Sequence, residues 1–177
     1  TQSGEELVKL ATRNEQFKAF FRGMMWYGRM GFRLKPGVTP DAIARGREET
    51  RRALLMVSAL DKATVGQDPA ATVWDRIYGP TAFFVGASDD LTANDYAAVA
   101  KKVYGGMPAP QALDDTAKLD AFIAQAMALP APRIVSSFVT DEENPELVTK
   151  SFRFMGQRFI PDSYIFPRTM TADELVI

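Results

Sequence analysis

Two arginines, a glutamine and an aspartate near the C-terminus carry side chains that suit the binding of an anion. Arg153, Gln157 and Arg158 are close together in the sequence, and Asp162 follows them. Guanidinium groups bind carboxylates and phosphates through paired hydrogen bonds, and a neighbouring carboxylate can hold one guanidinium in place. The same groups can instead satisfy backbone carbonyls around an irregular apolar segment, where Gly156 permits a bulge. Both interpretations remain open, and the structural one is favoured.

A second polar group contains the oxygen ligands that a divalent cation needs. Asp89, Asp90 and Asp95 could together bind Ca²⁺ or Mg²⁺. Their spacing lacks the alternating acids and the central glycine of an EF-hand calcium loop. Acidic residues also stabilise the positive end of a helix, and Thr92 is a good N-cap residue. The sequence therefore favours helix capping over metal binding, and we expect no cofactor.

Arginine also interrupts the most apolar segment of the chain, which reads FFRGMMWYGRMGFRL from residue 20 to residue 34. Because a guanidinium keeps its proton, each of these arginines needs an acceptor or a path to water. We therefore expect a core element with a polar edge. Arg29 could join Arg153 and Arg158 in an anion site, and Trp26 could stack on a sugar ring. Aromatic residues at helical spacing nevertheless belong more often to the core.

The composition excludes several kinds of active site. The chain has no cysteine and no histidine, which removes thiol nucleophiles, disulfides, the common zinc sites and histidine-based acid–base catalysis. The net charge is −1, so we expect no nucleic-acid partner. The chain up to Lys62 is net basic and the remainder is net acidic. This asymmetry indicates charge pairing within the molecule, with a basic face for an anionic ligand as the alternative.

Helix start and stop signals predict five or six helices. Thr39-Pro40-Asp41 combines an N-cap, a first-turn proline and an acid, and this helix is expected to end near Asp61. Its early part, Arg45 to Arg52, is expected to be solvated, and Pro80 is expected to break a later helix. Further starts are predicted at Ser3, Asn14, Asp68-Pro69, Thr92 and Asp114 or Asp115. The predicted buried stripe of the Thr39 helix consists of Ile43, Leu54, Leu55, Val57, Ser58 and Leu60.

The residue pattern changes in the last third of the chain. The segments 134–139 and 151–159 are rich in β-branched and aromatic residues, which predicts two antiparallel strands joined by a polar turn. The expected fold is therefore mainly α, with a minor two-stranded β element near the C-terminus. The longest strictly apolar runs are far too short to span a bilayer. A length of 177 residues suits a single domain or a fragment of a larger one.

Four segments together resemble a large prokaryotic family known as domain of unknown function 3160. The resemblance covers roughly residues 12–168 and leaves residues 1–11 and 169–177 outside. Members of this family are several times longer and often look exported, which implies that the chain is an internal portion of the family domain. The resemblance implies no activity and no catalytic residues. The four segments are MMWYGRMGFRL (24–34), YGPTAFFVGASDDLTANDY (78–96), PRIVSSF (132–138) and SFRFMGQRFIPDSYIF (151–166).

These observations favour a non-catalytic structural or interaction module, a piece of a larger exported protein, over an enzyme. Its expected partner is the remainder of a larger polypeptide or another protein chain. One alternative is a helical domain that binds or acts on carbohydrate or peptidoglycan. Another is a small anion- or metabolite-binding protein. The family resemblance implies a periplasmic or extracellular location, with the cytoplasm as the alternative, and the start at Thr1 without methionine suggests a processed or trimmed product.

Overall fold

The computed structural model describes residues 14–134 and 149–156, together with Pro161 and Ile165. Within this part of the chain the fold is mainly α, as the sequence predicts. The helices are α1 (Glu15–Arg29), α2 (Pro40–Lys62), α3 (Ala70–Val85), α4 (Ala93–Tyr104) and α5 (Thr116–Met127), and a 3-10 helix spans Pro110–Asp114. The strands are β1 (Gly31–Arg33), β2 (Thr64–Val65), β3 (Asp68–Pro69) and β4 (Ser151–Arg153).

Most of the predicted start signals coincide with observed helix ends. α4 begins with a full capping box, in which Thr92 Oγ1 accepts from the Asp95 backbone and the Asp95 carboxylate accepts from the Thr92 backbone. Gly105 ends this helix in the left-handed region, with φ at 83°. The side chains that cap α1, α2 and α5 are Asn14, Thr39 and Asp115. The start predicted at Ser3 lies outside the described residues.

α3 differs from its prediction, because it continues through Pro80 instead of breaking there. A proline inside a helix leaves the carbonyl four residues earlier without its amide partner. That carbonyl belongs to Arg76, which is exposed, as is Pro80 itself. The lost hydrogen bond therefore falls on the solvent side of the helix, where it can be tolerated.

β4 is antiparallel, as predicted, but its neighbours are not those of the expected hairpin. It pairs with β1 in a register that places Phe32 opposite Phe152. On its other edge the Leu91 backbone donates to Ser151 and accepts from Arg153, both at 3.1 Å. The segment 134–139, which was predicted to pair with β4, lies outside the described residues except for Ile134. Within the described residues, both edges of β4 are therefore paired with residues that are far away in the sequence.

The hydrophobic core forms where α2, α4 and α5 meet the β1–β4 pair. Tyr96 of α4 lies at its centre, with its ring 4.8 Å from Phe152 and 5.0 Å from Phe122. These aromatic contacts join three separate elements. None of the described helices is both long and apolar enough to cross a membrane.

The buried face of α2 is shifted from the predicted stripe. Leu54, Val57 and Ser58 are buried as predicted, but Ile43 and Leu55 are exposed. The early part of the helix, predicted to be solvated, instead buries two residues, Gly46 and Thr50. This happens because the chain passes over α2 at Leu34, so close that a Cβ on Gly46 would lie 2.5 Å from the Leu34 carbonyl oxygen.

Candidate functional site

Arg153, the described member of the predicted anion-binding cluster, lies inside the protein. Its Nη1 donates to the Gly28 carbonyl at 2.8 Å, and its Nε lies 3.3 Å from Asp90 Oδ1. The side chains of Arg153 and Asp90 are 12% and 5% exposed. The guanidinium therefore links β4 to the end of α1 and to the loop before α4, as the structural interpretation of the sequence expects.

The surroundings of Asp90 are closely packed and polar. Ser151 Oγ lies 3.5 Å from Asp90 Oδ1, and the Asp90 backbone donates to Ser88 Oγ at 3.2 Å. Ser88 in turn donates its backbone amide to the Tyr78 hydroxyl. A side chain at Gly156 would collide with Ser88 Oγ, so glycine allows the backbone to approach this loop closely. The network joins α3, the loop and β4 through hydrogen bonds.

The other residues of the predicted anion site are not brought into this network by the described structure. Arg29 is exposed in the last turn of α1, next to the Gly28 carbonyl that Arg153 contacts. Trp26 projects from α1 and is 62% exposed. The other three predicted residues lie outside the described part of the chain: Gln157, Arg158 and Asp162.

The three carboxylates considered for a metal ion are each engaged in other contacts. Asp89 accepts from the backbone amides of Arg133 and Ile134 at 2.8 and 2.7 Å. Asp90 faces Arg153, and Asp95 belongs to the capping box of α4. Among the described residues, no group of three acidic side chains is placed to hold a metal ion. Asp95 thus lies where the capping interpretation places it, whereas Asp89 and Asp90 contact residues distant in the sequence.

An apolar groove between α1 and α3 is a feature that the sequence does not single out. Its volume is about 360 Å³, and none of the described residues that line it carries a formal charge. Trp74 forms part of its floor, stacked on Tyr78 at 4.5 Å and donating Nε1 to the Phe154 carbonyl at 3.1 Å. The lining residues are Phe20, Gly23, Met24, Tyr27, Leu60, Val65, Ala70, Val73, Trp74, Ile77, Phe154 and Met155.

The apolar segment starting at Phe20 was expected to be a core element, and the position of α1 shows that this expectation was wrong. None of its residues is buried. Contact with the body of the protein runs along one side, where Met24 packs against the core and Gly28 approaches the Met155 carbonyl. A helix that touches its protein on one side cannot bury apolar residues spread around its circumference. Its large exposed side chains are Phe17, Phe20, Phe21, Met25, Trp26 and Tyr27.

Lys150, which precedes β4, is a buried cation that the sequence does not reveal. Its Nζ donates to the Met127 carbonyl at 2.8 Å and to the Leu129 carbonyl. Burial lowers the pKa of this amine from its ordinary value. Cations at the end of a helix stabilise the free carbonyls there. Lys150 therefore acts as a cap at the end of α5, and no motif in the surrounding sequence indicates this contact.

A family sequence model described as "Protein of unknown function (DUF3160)" matches residues 11–175. The chain belongs to this family. The match includes the four segments that carry the resemblance and extends further toward the C-terminus than they do. No curated protein and no solved structure matches the chain.

Proposed function

We propose that this DUF3160 chain is a non-catalytic interaction module that binds a protein partner through the groove between α1 and α3. The observation that carries the proposal is the groove itself, which is open to solvent and lined by apolar and aromatic side chains. Exposed apolar surfaces of this kind mark interaction sites in soluble proteins. Burial of such a surface against a partner is favourable in proportion to the apolar area removed from water.

The polar residues most suited to chemistry support a structural role. Asp90 and Arg153 face each other in the interior, and Asp95 caps a helix. Lys150 donates to backbone carbonyls. Each of these groups already has a partner that contributes to the fold, so none needs a ligand to satisfy it.

The proposed partner presents apolar side chains to the groove. The lining offers few hydrogen-bonding groups, so a partner that buried polar atoms in it would lose their hydrogen bonds to water. The partner surface is the remainder of a longer exported polypeptide or a separate protein. Family resemblance supports a periplasmic or extracellular setting for this contact, and the cytoplasm is the alternative.

The two ligand-binding alternatives find less support in the described residues. A carbohydrate site would combine an exposed aromatic ring with carboxylates, yet none of the described residues lining the groove is a carboxylate, and Trp26 is not among them. A metabolite site built on Arg153 would need a free guanidinium. That guanidinium is already engaged by Asp90 and by the Gly28 carbonyl.

The test compares the native mass of the protein, purified gently from its source, with its denatured mass. We expect the wild-type chain to be held in a stoichiometric complex with a protein that cross-links to α1 or α3. Ile77→Asp places a charge in the groove and is expected to release the 19.6 kDa chain.

Phe83→Asp is the matched control, because Phe83 is also an exposed apolar residue of α3 but does not line the groove. This variant is expected to keep the complex. A wild-type chain that travels alone at its own mass, or a complex that survives Ile77→Asp, would contradict the proposal.

A further inference from the structure

The outer face of α1 carries a stripe of positive charge. Lys18, Arg22 and Arg29 are spaced so that, at 100° per residue, they fall on one narrow strip of the helix surface. Lys18 pairs with Glu15 at 2.7 Å. Arg22 and Arg29 are exposed, and neither forms an ion pair with another described residue. Glu15 lies at the edge of the same strip, so within the described part of the chain Arg22 and Arg29 supply its net positive charge.

Large apolar side chains lie on both sides of these cations. Phe21 and Met25 follow one edge of the basic strip and are 45% and 41% exposed. Trp26 lies beyond the other edge and is 62% exposed. The face thus combines aromatic groups that gain from leaving water with arginines that remain charged at every physiological pH.

This face is distinct from the groove. The α1 residues that line the groove, Phe20, Gly23, Met24 and Tyr27, lie on the side of the helix away from the basic strip. None of the α1 residues is buried, and no other residue that the structure describes covers the outer face of this helix. A partner in the groove would leave this outer face free.

We propose that the outer face of α1 lies on an anionic lipid surface. Helices that rest in the membrane interface combine a basic polar strip with Phe, Trp or Leu at its sides, and have low overall hydrophobicity. The cations would contact lipid phosphates, and the aromatic rings would enter the boundary between headgroups and acyl chains. The proposal goes beyond the proposed protein-binding function and does not depend on it.

A lipid surface suits this face better than an acidic protein does. The exposed apolar side chains lie on both sides of the cations, and a protein partner would need a separate matching pocket for each group. Lipid accepts apolar side chains at any spacing, and arginine can extend along its apolar stem to reach the headgroups. No membrane-spanning helix is required for this mode of binding.

The experiment measures binding of the purified chain to vesicles by flotation. One set of vesicles contains phosphatidylglycerol in phosphatidylcholine, and the other contains phosphatidylcholine alone. We expect binding to the anionic vesicles that weakens as salt is raised. Arg22→Glu with Arg29→Glu is expected to reduce the affinity at least about tenfold. The matched control, Lys101→Glu with Lys102→Glu, changes the net charge equally on α4 and is expected to retain binding.

Tryptophan fluorescence of the unmodified protein gives a second readout that needs no variant. The chain has two tryptophans, and Trp74 is nearly buried whereas Trp26 is exposed beside the basic strip. Vesicles with brominated acyl chains are therefore expected to quench Trp26, and Trp26→Phe is expected to abolish the effect.

Three results would overturn the proposal. The first is equal binding to neutral and anionic vesicles, and the second is an equal loss of vesicle affinity when the charges are reversed on α1 and on α4. The third is the absence of tryptophan quenching in the wild-type protein. Binding to polyglutamate without binding to either vesicle would instead assign the face to an acidic protein partner.

Discussion

Arg153 and Asp90 form an ion pair in the protein interior, with Arg153 Nε 3.3 Å from Asp90 Oδ1. The two residues are far apart in the sequence and belong to different elements. Because the same guanidinium donates to the Gly28 carbonyl, one side chain holds together β4, the loop before α4 and the end of α1. The helix that this contact holds also contributes residues to the groove.

Breaking this pair is expected to destabilise the protein strongly. Asp90→Ala removes the carboxylate that faces the buried Arg153 guanidinium, which costs roughly 3–5 kcal/mol of the free energy of unfolding. Arg153→Met leaves the buried carboxylate instead and is expected to cost a similar amount. The double variant is expected to lose clearly less than the sum of the single losses, because neither charge is then left alone. Urea unfolding measures all three values.

The exposed ion pair between Arg76 and Asp68 is the control for this prediction. Its nitrogen–oxygen distance is only 2.6 Å, yet both side chains are largely exposed. Asp68→Asn is expected to cost no more than about 1 kcal/mol, since water and salt screen a surface pair. If the variants at Asp68 and Asp90 lose the same free energy of unfolding, the ion pair of Arg153 is not effectively buried.

Replacing a glycine by alanine is expected to change the free energy of unfolding in opposite directions at Gly46 and at Gly23. In the interior of a helix, alanine is favoured over glycine by up to about 1 kcal/mol. A Cβ at Gly46 would lie 2.5 Å from the Leu34 carbonyl oxygen and 3.0 Å from Pro36 Cδ. Such overpacking costs about 1–3 kcal/mol, so Gly46→Ala is expected to lower the free energy of unfolding.

Gly23 of α1 provides the matched substitution. A Cβ at this position would meet no atom within 4 Å. Gly23→Ala is therefore expected to raise the free energy of unfolding by about 0.5–1 kcal/mol. Thermal unfolding followed by circular dichroism compares the two variants. A stabilising Gly46→Ala would mean that the chain at Leu34 can move away from α2.

Local signals made much of the fold predictable from the sequence. Thr39, Thr92 and Asp115 mark helix starts because a capping side chain bonds to amides within its own first turn. Such contacts need no knowledge of distant residues. The class of the fold and the antiparallel nature of β4 followed from the same kind of local pattern.

Contacts between distant residues account for what the sequence did not predict. The pairing of β4 with β1, the burial of Gly46 and the position of Lys150 all depend on segments brought together by the fold. Hydrophobic periodicity showed that α1 has an apolar face but not whether the body of the protein would cover it. The groove was missed for the same reason.

Tyr96 carries a buried hydroxyl that makes no hydrogen bond with the part of the chain that the structure describes. Its side chain is buried in the core, and its oxygen finds no hydrogen-bond partner among the described residues. Burial raises the pKa of this phenol, which stays neutral at physiological pH. Tyr96→Phe keeps the ring contacts with Phe122 and Phe152 and removes the unpaired group.

We expect Tyr96→Phe to leave stability unchanged or to raise the free energy of unfolding by about 1 kcal/mol. Tyr96→Leu is the comparison, because it removes the aromatic contacts and is expected to destabilise. Chemical denaturation measures both variants. A loss of stability in Tyr96→Phe would indicate that a water molecule or another group satisfies the hydroxyl in solution.

The ion pair between Arg47 and Asp120 makes the free energy of unfolding depend on pH in the acidic range. Arg47 Nε and Nη2 donate to the two carboxylate oxygens of Asp120 at 2.7 and 2.6 Å. Arg47 belongs to the net basic first part of the chain and Asp120 to the net acidic remainder, so the pair joins the two parts. The guanidinium holds the pKa of the Asp120 carboxyl below its ordinary value of 3.8.

A lowered folded-state pKa means that the unfolded chain takes up the proton first as the pH falls. The stabilisation by Asp120 is therefore present above its ordinary pKa and is lost as the pH drops through the lowered one. Asp120→Asn is expected to cost little at neutral pH, because both side chains are partly exposed, and to flatten the decline of stability in acid. Urea unfolding of the wild type and of Asp120→Asn from about pH 5 to about pH 2 measures the two profiles. Superimposable profiles for the wild type and Asp120→Asn would show that the pair does not persist in solution.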